Sequence, residues 1–206
     1  MASADTAARE PADEEVARVA WDLEPLVDGR GPEGVRALLD EAARRADAFA
    51  VAYAGRVAAL DGPGLRRAME QLAELHELVG RASSYASLRF AVDTTDEAIG
   101  ALLQHVQERA TAIQTRLLFF ELEWAALDDD HAERLLATEG LEFAAHYLRT
   151  ERRYRPHLLT EPEERILAEK GVSGASAWTR LFAELMSAVE VRLPDEPEPV
   201  TLEQAL

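Results

Sequence analysis

The stretch His76-Glu77-Leu78-Val79-Gly80 comes nearest to a catalytic pattern. In zinc-dependent hydrolases of the His-Glu-x-x-His type, two histidines at i and i+4 share one helix face and hold the metal. The glutamate acts on the bound water. Here the second ligand position is Gly80, which has no side chain. One imidazole does not hold zinc, so His76 reads as a helix-surface histidine. A carboxylate-bridged metal pair in a bundle needs Glu-x-x-His on two helices. No histidine of this chain has a glutamate three residues before it. Asp128 and His131 have that spacing but straddle an expected helix break, and Glu142 and His146 read as an i,i+4 surface pair. Ser83, Ser84 and Ser87 fall inside a helical stretch without a Gly-x-Ser-x-Gly elbow. Gly29-Arg30-Gly31 lacks the strand and the remaining glycines of a phosphate loop. Arg149, Arg152, Arg153 and Arg155, with Tyr147 and Tyr154, form a local basic patch. It could grip a carboxylate, but the many nearby acids favour a paired, solvated face. No catalytic, metal-binding or cofactor-binding residue is assigned, and substrate contacts are left open.

The elements that carry these residues are helical. The 206 residues are 48% hydrophobic and 30% charged, the profile of a folded chain. A net charge of −17 disfavours nucleic acid and anionic membrane surfaces as partners. The absence of cysteine removes disulfides, thiolate metal sites and cysteine nucleophiles. With no membrane-length apolar run and no signal peptide, a cytoplasmic protein is expected. Lys170 is the only lysine.

Residues 1–20 read as a disordered tail. Trp21–Leu26, with Pro25, reads as an extended segment packed on something else. A first helix is expected over Pro32–Tyr53, with Val35, Leu38, Leu39, Ala42, Ala46 and Phe49 on one stripe. A second follows Asp61–Gly64 and runs to about Phe90. A third starts at a Thr94-x-x-Glu97 capping box. Its stripe, Leu103 through Ile113, Phe120 and Leu127, alternates steps of three and four. That 3.5 period suits a long helix lying along a neighbour. Helices two and three should form an antiparallel hairpin about 45 Å long. The stripe serves as its core in preference to an oligomer seam.

Short helices follow: His131–Thr138, capped by the Asp128–Asp130 run, and one carrying Phe143, Tyr147 and Leu148. Another starts at a Thr160/Glu163 capping box and stops at Gly171. The last is expected from Ser176 to about Ala188, with Trp178, Leu181, Phe182, Leu185 and Val189 on one face. Alternation then points to a small β-hairpin: Val189–Leu193, a proline-rich turn, and Val200–Leu202. Thr201-Leu202-Glu203-Gln204 reads as a capping box opening a helix with two residues left, so the chain is expected to be cut in mid-structure. The fold class is all-α: an elongated helical hairpin or bundle with further short helices and a small β-hairpin near the C-terminus.

Taken in order, certain blocks carry a resemblance. They are Trp21-Asp22-Leu23-Glu24-Pro25-Leu26, Tyr85-Ala86-Ser87-Leu88, Leu117-Leu118-Phe119-Phe120-Glu121-Leu122-Glu123, the run Tyr154–Lys170, and Ser176-Ala177-Trp178-Thr179-Arg180-Leu181-Phe182. From Trp21 onward the chain resembles the N-terminal region of oligoendopeptidase F-like enzymes, in the M3 family of zinc metallopeptidases. The Tyr154–Lys170 block and the following Trp-x-x-Leu-Phe are its most specific parts. The resemblance implies a helical N-terminal lobe over residues 21–188, with residues 189–206 opening a truncated following segment. It implies that zinc and its ligands belong to a catalytic domain beyond this chain, either downstream or as a separate chain. It also implies that the lobe narrows access so that only short peptides reach the site. No ligand of that domain maps onto a residue here, and the chain alone is expected to be inactive. The alternative is a stand-alone helical scaffold that binds a partner through the hairpin or the Trp178–Val189 face.

Overall fold

The structure, a computed structural model, describes residues 21–194 and 198–205. The expected tail over residues 1–20 lies outside them. Three long helices form the body: α1 (Gly31–Tyr53), α2 (Gly62–Val92) and α3 (Glu97–Ala126). All three pack on one another. The α2–α3 hairpin is present as expected, and α1 adds a third member. Arg109 pairs with Asp40 and Arg116 with Asp47, at 2.6 and 2.9 Å. Both pairs advance by seven residues in the same sense, so α1 runs parallel to α3 and antiparallel to α2.

The stripes face inward. Leu39, Leu65, Val106, Phe120 and Trp124 are among the fully buried side chains. Ala68, Ala82 and Ala86 on α2 have no exposed surface, which brings the backbones close. Phe49 meets Phe120 edge-on at 5.6 Å between ring centroids. The 3.5-residue stripe of α3 is therefore intramolecular core.

Two local expectations are corrected. Trp21–Leu26 is not extended: Glu24–Val27 forms a 3-10 turn with Pro25 in its first turn. It drops Val27 into the core and leaves Trp21 82% exposed. The cap of α3 is Asp96, not Thr94; its carboxylate accepts from the amides of Ala98 and Ile99. Asp93 meanwhile holds both the amide and the hydroxyl of Thr95. Gly171 ends its helix as expected, and a π turn kinked at Gly174, Val172–Ser176, follows it.

Beyond α3, Asp128 caps α4 (Asp129–Leu136) through the amides of Asp130 and His131. Helix α5 (Glu142–Arg153) turns back after Gly140, whose φ of 82° favours glycine. It buries Ala144 and Leu148 but leaves Phe143 exposed, so Phe143 is not on its inner face. The Trp124 indole donates to the Leu148 carbonyl at 2.8 Å, joining α5 to α3. Helix α6 (Glu161–Gly171) begins at the expected Thr160/Glu163 capping box and lies along α3. Helix α7 (Ala177–Ser187) follows the π turn. Strands β1 (Glu190–Val191) and β2 (Val200–Thr201) pair antiparallel, Glu190 opposite Thr201, as the expected small hairpin. Leu202–Ala205 closes the described chain as a single helical turn, α8.

Candidate functional site

His76 keeps an exposed edge on α2, and its ring borders a hollow of about 170 Å³ with Met69, Leu72, Phe143 and Tyr147. Burial against this apolar wall pushes its pKa below the usual histidine value. Asp128 spends its carboxylate on the α4 cap, so it does not pair with His131 as a ligand. Glu142 and His146 are both exposed on α5. Among the described residues, no group of three or more His, Cys, Asp or Glu is placed to hold a metal ion.

The glycine loop is filled from within the chain. The Gly31 amide donates to a Glu24 carboxylate oxygen at 3.0 Å, and the Tyr85 hydroxyl donates to the other at 3.0 Å. Burial, and then Glu24, push the Tyr85 pKa up. Arg81 reaches the Leu26 carbonyl and Asp28. The loop locks the entry of the chain onto α2. Ser83 and Ser87 line a groove between the hairpin and the stretch from α6 through the π turn, with no base among the lining residues.

In the basic patch, Arg149, Arg152 and Arg155 are paired within the chain. Arg149 donates to both carboxylate oxygens of Glu133, at 3.2 and 2.9 Å. Arg152, with its side chain 10% exposed, donates to the Trp124 and Leu127 carbonyls, each at 2.7 Å, and bonds Asp129. These carbonyls lie at the C-terminus of α3, where a cation is favoured. The Arg152 guanidinium also stands 5.7 Å from the Trp124 ring centre. Arg155 adds bonds to Leu127 and Asp129. The hydrogen bond from Arg152, and the charge of Arg155, hold the Asp129 carboxyl below its ordinary pKa.

A second polar cluster escaped sequence reasoning. Where α3, α5 and α6 meet, Glu121 faces Tyr147, Glu151 and Glu164. Burial, then the charges of Glu151 and Glu164, raise the Glu121 pKa. Burial also raises that of Glu151 and, with Glu121 and Glu151, that of Tyr147. Glu121 lies one step off the α3 stripe and reads as an outward position. Only the return of α5 and α6 encloses it.

Further apolar exposure lies along the last helices. Trp178, Phe182 and Leu185 on α7 are 70, 65 and 60% exposed, and Ile166 and Leu167 on α6 are exposed as well. Neither helix has a buried residue. The fold and this surface define an all-helical domain whose last helices offer an uncovered amphipathic face. Residues 123–190 match the family model for the N-terminal domain of M3 peptidases, described as Oligopeptidase F. The match covers the end of α3 through β1, less than half of the chain, and includes the Tyr154–Lys170 block and the Trp-x-x-Leu-Phe that follows. No curated protein and no solved structure matched the chain. No described helix is long and apolar enough to cross a membrane.

Proposed function

We propose that this chain is the non-catalytic N-terminal lobe of an oligoendopeptidase F-like zinc metallopeptidase. In this reading it shapes the access of short peptides to a catalytic domain that lies outside the chain. The observation that carries the reading is the family match over residues 123–190, which falls on the segment bearing the uncovered apolar face. The long helices give rigid walls, and the α6–α7 face is the surface for the peptidase body to cover. Zinc and the hydrolytic water belong to that body. Residues 21–188 form the lobe, and residues 189–206 lead toward the next domain. A cytoplasmic setting fits a chain without cysteine.

Two measurements test this. The purified chain, supplied with zinc and an internally quenched peptide, is expected to give no turnover. Zinc-dependent cleavage by the chain alone overturns the reading. The coding sequence after Leu206, or a neighbouring gene, is expected to encode His-Glu-x-x-His. A stop followed by an unrelated gene favours a stand-alone helical scaffold.

A further inference from the structure

We propose that Glu161–Ser187 is a hinged arm that opens about Gly171–Gly174 away from the groove face of α2 and α3. The proposal does not depend on a peptidase role.

The arm is seated without a core of its own. No residue of α6, the π turn or α7 is buried. Side-chain bonds tie it to the hairpin at Arg180 with Gln104, 2.9 Å, and at Thr94 with Ser187, 2.7 Å. Open grooves of about 270 and 520 Å³ run between arm and hairpin, one beside Ser83 and Gly171, the other beside Thr111 and Glu169. The Thr115 hydroxyl borders the second groove, buried and without a hydrogen-bond partner. A seat that leaves a donor unmet and is flanked by open grooves is held weakly compared with the α1–α3 core.

Two glycines lie at the pivot. At Gly34 a Cβ would fall 2.3 Å from the Val27 carbonyl oxygen, and at Gly62 it would fall 1.9 Å from the Thr138 hydroxyl. Those glycines are required by close packing. At Gly171 and Gly174 a Cβ would meet nothing within 4 Å, as also at Gly80 in α2 and Gly100 in α3, so what singles out the pivot is the kink. Gly171 closes α6, and Gly174 sits in the kink between α6 and α7. Gly174 is where the helical dihedrals fail, at φ −98° and ψ −105°. The π turn around it leaves backbone bonds that can be rearranged. Opening there carries the apolar face of α7 away from the bundle as a unit and sets where that face is presented.

The absence of native cysteine makes the test direct. Thr115→Cys places a single thiol under the arm, and Ala82→Cys places one in the bundle core, which opens only on global unfolding. Labelling with a maleimide is followed by mass mapping of each position. The label is expected at position 115 at least tenfold faster than at position 82. Adding Thr94→Cys and Ser187→Cys, oxidised to a crosslink, should lower the rate at 115 at least tenfold. Gly171→Ala, which straightens the pivot without a clash, should lower it severalfold. A rate at 115 no faster than at 82 overturns the proposal. So does a rate that neither the crosslink nor Gly171→Ala reduces.

Discussion

Arg152 shows how a residue that looks like a ligand grip becomes a structural clamp. It joins two terminal carbonyls of α3 to Asp129 at the start of α4, with the Trp124 ring beneath it. A lysine keeps the charge but not the fork that reaches both carbonyls together. Arg152→Lys is expected to lower unfolding free energy by about 1–2 kcal/mol and Arg152→Ala by about 2–3 kcal/mol. The midpoint of urea unfolding followed by circular dichroism measures both; equal midpoints for wild type and Arg152→Ala would refute the clamp. Glu123 is a parallel case. Its two carboxylate oxygens accept the Gly55 and Val57 amides, at 2.7 and 3.1 Å, and pin the α1–α2 connection to α3. Glu123→Ala should cost about 1–3 kcal/mol in the same assay, because two amides of the turn lose their partner. Sequence spacing made the acidic pairing of the arginine patch legible. It did not reveal the carbonyls, since these depend on where α3 ends against α5. The misplaced cap at Thr94 has a similar origin. Thr94, Asp96 and Glu97 all suit a helix start, and the Asp93 turn that occupies Thr95 decides among them.

At the level of elements, periodicity carried the long helices because each buries a stripe set by its own sequence. The α2–α3 hairpin, the Asp128 and Thr160 caps and the small β-hairpin were all readable for that reason. The meeting of α3, α5 and α6 was not, because burial at Glu121 arises from chain return and not from local pattern. That junction has a pH consequence. Glu121 and Glu151 have raised pKa values in the folded chain, so folding favours their protonated forms. Their contribution to stability is fully present below the ordinary glutamate value. It is lost as pH rises through the raised values. Glu121→Gln keeps the size of the side chain and removes the charge. The variant is expected to be more stable than wild type at pH 7, with the difference shrinking as pH falls toward 4. Urea midpoints of both proteins across that range measure it. A difference independent of pH would show that Glu121 carries no strained charge. Exposed acids such as Asp129 and Glu133, whose pKa values are lowered by arginine hydrogen bonds, act in the opposite sense in both proteins and cancel in the comparison.

For the whole molecule, two features pull in opposite directions. The α6–α7 face exposes Trp178, Phe182, Leu185, Ile166 and Leu167 together. Such a face lowers its free energy by leaving water, at about 25 cal/mol for each Å² of apolar surface covered. The net charge of −17 makes two copies repel. Near physiological salt, charges are screened beyond about 8 Å, and at 1 M beyond about 3 Å. Apolar attraction is not weakened by that screening. Self-association of the isolated chain should therefore be slight in low salt and should rise steeply as sodium chloride approaches 1 M. Sedimentation velocity at fixed protein concentration measures this. Replacing Trp178 and Phe182 with glutamate should abolish the rise. It should leave the thermal midpoint nearly unchanged, because neither ring contributes to the α1–α3 core. A loss of helicity in that variant would place these rings in the fold and not on its docking surface. Association that persists in the variant would move the sticky surface elsewhere, with the exposed Trp21 and Val92 as the remaining candidates. The same variant separates the two readings of the chain's role. A lobe whose α6–α7 face is covered by a catalytic body should fail to join that body once both rings are charged, while its own helices stay folded.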